Sequence, residues 1–125
     1  MASFNRVILL GNLTADPELR YTAGKKAVVD VGIAVNERYK KDDEVVEEVS
    51  FIDVTFFGRT AEIVNEFLSK GAPALIEGRF RQERWEKDGH KRSRIKVIAD
   101  RLTLVGPRPQ PEEEEETVAA GAAAF

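Results

Sequence analysis

The sequence predicts an all-β fold: a small five-stranded barrel with one short helix between its third and fourth strands, followed by an acidic tail. Three observations carry that prediction. Short stretches alternate apolar and polar residues with the period of two that marks a half-buried strand, most clearly in Ala27 to Asn36 and in Val49 to Gly58. A single stretch, Thr60 to Lys70, changes to the helical period, pairing Ile63 with Phe67 and Val64 with Leu68 at i,i+4. From Pro107 onward the chain reads Pro-Arg-Pro-Gln-Pro, then five glutamates, then small residues, which bury too little apolar surface to offset chain entropy. Residues 1–106 are therefore expected to form one domain, and 107–125 a disordered tail.

In order along the chain, Phe4 to Leu13 is the first strand, built on Val7-Ile8-Leu9-Leu10 and ended by Gly11 and by Asp16-Pro17, where proline removes a ladder donor. Leu19-Arg20-Tyr21 is a short extended piece. Ala27 to Asn36 points Ala27, Val29, Val31, Ile33 and Val35 inward and Asp30, Gly32 and Asn36 outward, with Gly32 suggesting a bulge or bend at a barrel corner. Glu37 to Glu48 is dense in charge and is expected to be an exposed hairpin loop with Tyr39 near its base. The central strand lines one face with Ser50, Ile52, Val54 and Phe56 and the other with Val49, Phe51, Asp53, Thr55 and Phe57. Thr60 is placed to cap the helix and Gly71 to end it, before Pro73. Ala74 to Trp85 sends Ala74, Ile76, Gly78 and Phe80 inward and Glu77, Arg79, Arg81, Glu83 and Trp85 outward. Asp88-Gly89 favours a tight type I′ turn. Lys91 to Ala99 then returns with Ser93, Ile95, Val97 and Ala99 inward and Arg92, Arg94, Lys96 and Ile98 outward. This element order on short bent strands is that of the OB barrel, whose strand-two and strand-three face and neighbouring loops bind oligonucleotides or oligosaccharides.

Charge distribution narrows the choice of partner. The 125 residues carry a net charge of -3, but Arg108 and the five glutamates Glu112 to Glu116 put -4 in residues 107–125 and leave the body at +1. Within the body, Arg79 to Arg101 holds Arg79, Arg81, Arg84, Lys87, Lys91, Arg92, Arg94, Lys96 and Arg101 against Glu83, Glu86, Asp88 and Asp100. Aromatic faces beside such a basic stripe are what a single nucleic-acid strand requires: phosphates follow the cations and bases stack on the rings. Phe51 and Phe57 could instead pack against a second subunit, making the chain an interaction module. A concentrated positive field has no purpose there, and that discriminates between the two readings.

Enzymatic readings find no support. The chain has no cysteine and one histidine, so thiolate sites, disulfides and His clusters are excluded, and no Ser/His/Asp set is available. Asp42, Asp43, Glu44, Glu47 and Glu48 lack the spacing of a calcium loop, and Gly24-Lys25-Lys26 lacks the earlier glycine and the Ser/Thr of a phosphate loop. No cofactor or metal is expected. The apolar run Val7 to Leu10 is too short for a signal segment or a membrane span.

Several motifs together carry a resemblance: Asn5-Arg6-Val7-Ile8-Leu9-Leu10-Gly11-Asn12-Leu13, Asp16-Pro17-Glu18-Leu19-Arg20-Tyr21, Phe56-Phe57-Gly58 before the helix, Ile76-Glu77-Gly78, and Arg84-Trp85. In this order, over residues 1 to about 105, the chain resembles the bacterial single-stranded DNA-binding protein (SSB) family. The resemblance implies a non-enzymatic OB-fold binder of single-stranded DNA, without strong sequence preference, acting in DNA replication, recombination and repair. It also implies a homotetramer and a cytoplasmic, nucleoid-associated location. Its stacking aromatics carry over to Tyr39, Phe51, Phe57 and Trp85; bacterial members often have tryptophan at the first two. The basic stripe then offers Arg79, Arg81, Arg84, Arg92, Arg94 and Lys96 to phosphates. Family members commonly end in an acidic tip that docks replication and repair proteins. Here that role falls to Glu112, Glu113, Glu114, Glu115, Glu116 and Phe125, with the acidic run and the terminal phenylalanine separated.

Overall fold

The computed structural model describes residues 1–106. Strands β1 (Val7–Leu13), β2 (Arg20–Tyr21), β3 (Ala27–Lys41) and β4 (Glu44–Phe57) precede the helix α1 (Gly58–Phe67), and β5 (Pro73–Lys87) and β6 (His90–Leu104) follow it. The sheet order is β1-β5-β6-β4-β3-β2, and β1 also pairs with β3, so five strands close into a ring and β2 adds to the rim. All pairings are antiparallel except β4 with β6, which run parallel through Val54↔Val97 and Thr55↔Ile98. This is the expected barrel, with α1 between the third and fourth barrel strands.

Most of the predicted inward residues fill the ring. Val29, Ile33, Val54, Phe56, Ile76 and Val97 are fully enclosed, and α1 closes one end with Ala61 and Val64. Closure brings backbones together where a side chain would not fit. At Gly11 a Cβ would stand 2.5 Å from the Ala34 carbonyl oxygen, and at Gly78 2.1 Å from that of Ile98. Gly78 also marks a bulge: Glu77 faces Arg101 while Gly78 faces Ala99, which leaves Asp100 as the extra residue of β6 and bends the β5–β6 ladder.

Several local expectations differ from the structure. Residues 37–48 are a continuous ribbon, with β3 and β4 paired from Glu37↔Glu48 to Lys41↔Glu44 around a two-residue turn at Asp42 (φ 54°) and Asp43 (φ 66°). Their cross-strand contacts are polar, with Arg38 Nε 3.1 Å from Glu47 and the Tyr39 hydroxyl donating to Glu48 at 2.7 Å, so the ribbon lacks the apolar alternation that reveals a strand. The ladder passes straight through Gly32↔Asp53 without a bulge; Gly32 instead makes room for Thr14, whose hydroxyl donates to the Gly32 carbonyl. Thr60 does not cap α1, because the helix begins two residues earlier, after Phe57, with no side-chain cap. Nor does Gly71 end it: the helix stops at Leu68, and Gly71 (φ 88°) donates its N–H to the Leu13 carbonyl, tying the connection to β1. Phe80 (48% exposed), Ser93 and Ile95 (63% exposed), expected inward, are exposed, because the long β5–β6 ribbon extends beyond the barrel past the Gly78 bulge, and Ile98, expected outward, is buried.

An ionic tie crosses three strands on the outside. The Asp30 carboxylate on β3 accepts from the Thr55 hydroxyl of β4 and from the Arg20 guanidinium of β2. Partial burial pushes the Asp30 pKa up, but the Thr55 hydroxyl, the Arg20 guanidinium and the Lys96 ammonium together hold it below its ordinary value.

Gly78→Ala is expected to destabilise the fold by about 1–3 kcal/mol, since the new methyl meets backbone that cannot yield. Gly24→Ala, whose nearest neighbour would be Thr22 Oγ1 at 3.9 Å, should be close to neutral; urea unfolding of both variants checks this, and equal midpoints would contradict it. A lowered folded-state pKa makes the Asp30 contribution complete above the unfolded-state value of about 4 and lost as pH falls through the folded value. Asp30→Asn should therefore flatten the fall in melting temperature between about pH 5 and pH 2, measured by circular dichroism. A fall as steep as in the unaltered protein would contradict that account.

Candidate nucleic-acid interface

The parallel seam between β4 and β6 makes the outward residues of β4, β6 and β5 one surface. Strand alternation places Phe51, Asp53, Thr55 and Phe57 of β4 beside Arg92, Arg94, Lys96 and Ile98 of β6, and these face Trp85, Glu83, Arg81 and Arg79 of β5 in that order. Phe51 is 73% exposed opposite Ala34, Trp85 is 43% exposed opposite Arg92, and Phe57 is half-buried. About six strand residues, on the order of 20 Å, separate the two phenyl rings. Lys26 stands 5.2 Å from the centroid of the Phe57 ring. That geometry places a cation over an aromatic face at the edge of the surface.

The cations of the stripe are not equivalent. Arg79 Nη1 lies 2.6 Å from Asp100. Glu83 holds two at once: Arg94 Nε at 2.8 Å and Lys96 Nζ at 2.9 Å, with Asp53 4.0 Å from the far side of Arg94. Hydrogen bonds from Lys96 and Arg94 lower the Glu83 pKa, and the same carboxylate raises that of Arg94. Lys96 is nearly enclosed, its side chain 11% exposed. Among the described residues Arg81 and Arg92 enter no ion pair, and both are exposed.

The structure thus brings together Phe51, Phe57 and Trp85 with Arg79, Arg81, Arg92, Arg94 and Lys96. It does not bring Tyr39 or Arg84 to the same face. Tyr39 alternates with Val35 and Ile33 on the other side of the β3–β4 ribbon, and its hydroxyl is raised in pKa by the hydrogen bond to Glu48. Arg84 alternates with Phe80 and Gln82, donating to the Gln82 side chain at 2.8 Å. Glu112 to Glu116 and Phe125 lie outside the described residues, as does the whole expected tail. Lys26 was missed because only the register that sets Val28 opposite Phe57 reveals its position. Glu83 was visible in the alternation between Arg81 and Trp85, but its grip on the next strand was not.

Among the described residues no group of three or more His, Asp or Glu side chains is arranged to hold a metal ion, and no helix is long and apolar enough to cross a membrane. Residues 4–105 match the model of the single-strand binding protein family. A single-stranded DNA-binding protein of Wolinella succinogenes is 50% identical over 104 residues, 82% of this chain and 64% of that protein. That of Treponema pallidum is 42% identical over 106 residues, 85% of this chain and 60% of that protein. The chain thus spans less than two-thirds of the length of these curated relatives. The crystal structure of a deletion mutant of the single-stranded DNA-binding protein from Thermus aquaticus superposes with a TM-score of 0.75 at 34% identity, covering 86% of this chain and 53% of that one. With barrel, exposed rings and cationic stripe all inside the matched span, this chain belongs to the single-strand binding protein family.

Proposed function

We propose that this chain binds single-stranded DNA without strong sequence preference and without catalysis, protecting it during replication, recombination and repair. The observation that carries the reading is the single outer face on which Phe51, Phe57 and Trp85 stand beside the unpaired Arg81 and Arg92. Any base presents a π-face to a ring, and the backbone presents the same phosphate at every step. Such a surface therefore holds a strand whatever its sequence, each stacked base contributing roughly 1–3 kcal/mol. Arg81 and Arg92 take the first phosphates, and Lys26 extends the cationic edge at Phe57. Tyr39 and Arg84, which face the other way, are not assigned to this path.

Assembly as a homotetramer is part of the proposal. Ile8 and Leu10 of β1 are 61% and 46% exposed, and aliphatic side chains in that position favour packing against another copy. Docking of replication and repair proteins through Glu112 to Glu116 and Phe125 is carried over from the family resemblance.

Trp85 is the only tryptophan, so its emission reads the site directly. Titration with dT oligomers should quench it, and log K should fall with log salt at about -0.7 for each phosphate neutralised. Trp85→Ala, followed with a labelled oligomer, should weaken binding by roughly 1–3 kcal/mol. Unchanged emission at saturating DNA, or full affinity in the variant, would contradict the site.

A further inference from the structure

We infer that Glu83 is a built-in competitor for DNA phosphates, occupying Arg94 and Lys96 until a bound strand displaces it and so setting how tightly and how salt-sensitively this face binds. The inference rests on the reading of the face as a single-strand binding surface and deepens it. One carboxylate bridges two cations on the neighbouring strand, at 2.8 and 2.9 Å, in the middle of the surface between Trp85 and the β4 rings. The Lys96 side chain is 11% exposed and its ammonium is held by Glu83 at 2.9 Å, so a phosphate that takes this cation takes the place of the carboxylate. An ammonium so enclosed needs an anion beside it, and removing that anion without replacement is costly. A phosphate oxygen meets the need as well as a carboxylate does. The exchange leaves Arg94 and Lys96 paired throughout and returns the Glu83 charge to solvent.

One consequence separates this from a role in which Glu83 merely holds Arg94 and Lys96 in position. Exchange of one anion for another releases no net counterion, so Arg94 and Lys96 add nothing to the salt dependence while Glu83 is charged. Only cations free before binding, such as Arg81 and Arg92, are counted in the slope. Asp53, 4.0 Å from Arg94, and Asp30, which acts on Lys96, are too distant or too occupied to replace Glu83.

The test compares binding of the full chain and of Glu83→Gln to dT oligomers across a salt series. Neutralising Glu83 should tighten binding at low salt by roughly tenfold, equivalent to about 1.4 kcal/mol. It should also steepen the slope of log K against log salt by about 1.4, for two newly free cations at about 0.7 each. Should the lone Lys96 ammonium prevent Glu83→Gln from folding, the double variant Glu83→Gln/Lys96→Gln removes both partners of that ion pair and should steepen the slope by about 0.7 through Arg94 alone. Equal or weaker binding with an unchanged slope, in a variant that melts cooperatively, overturns the inference and leaves the single-strand reading intact. Failure of the unaltered chain to bind dT at all overturns both.

Discussion

Ring closure is the constraint on which the rest of the molecule depends. Strand β1 satisfies its backbone by pairing with β5 along one edge and reaching β3 at its end, where Gly11 lets it approach the Ala34 backbone, as Gly78 lets β5 approach the Ile98 backbone of β6. A closed sheet gives every strand an inside and an outside. The inside takes Phe56, Ile33, Ile76 and their neighbours; the outside is one continuous surface. The short parallel contact between β4 and β6 then joins Phe51 and Phe57 to Arg92, Arg94 and Trp85. Without that seam the rings and the cations would sit on separate ribbons.

The surface so formed is less positive than its count of arginines and lysines. Glu83, Asp53, Asp100 and Asp30 interleave with the basic residues, and ion pairs occupy Arg79, Arg94, Lys96 and Arg20. A chain with net charge -3 therefore presents polyanions with a few free cations among many paired ones. In the proposed complex, aromatic stacking carries a correspondingly large part of the attraction, because stacking is not discounted by neighbouring carboxylates.

Sequence reasoning succeeded where hydrophobic burial writes a pattern. The alternations Val29-Val31-Ile33, Ile52-Val54-Phe56 and Ala74-Ile76-Gly78 follow the barrel interior, although Val28 and Thr55 on the other face are buried too and Ser50 is exposed, and the switch of period from two to 3.6 and back gives the element order. It failed where structure is held by charge. The ribbon from Glu37 to Glu48 pairs Arg38 with Glu47 and Tyr39 with Glu48, and two polar faces leave no periodic signal. The same limit applies to the site: Trp85 and the arginines were legible as one stripe, whereas the bridge from Glu83 to Arg94 and Lys96 depends on β5–β6 register. Phe80 looked like core by alternation, yet alternation cannot say where a ribbon outgrows its barrel.

In the proposed complex a single strand of DNA lies across the outer face of β4, β6 and β5. Hydroxyl-radical footprinting of the protein with and without a dT oligomer tests it side chain by side chain. Phe51, Phe57 and Trp85 should be protected on binding, while Phe80 and Ile95, exposed on the opposite face of the β5–β6 ribbon, should react as before. Protection centred on Phe80 and Ile95, with Phe51 and Trp85 still reactive, would contradict the account.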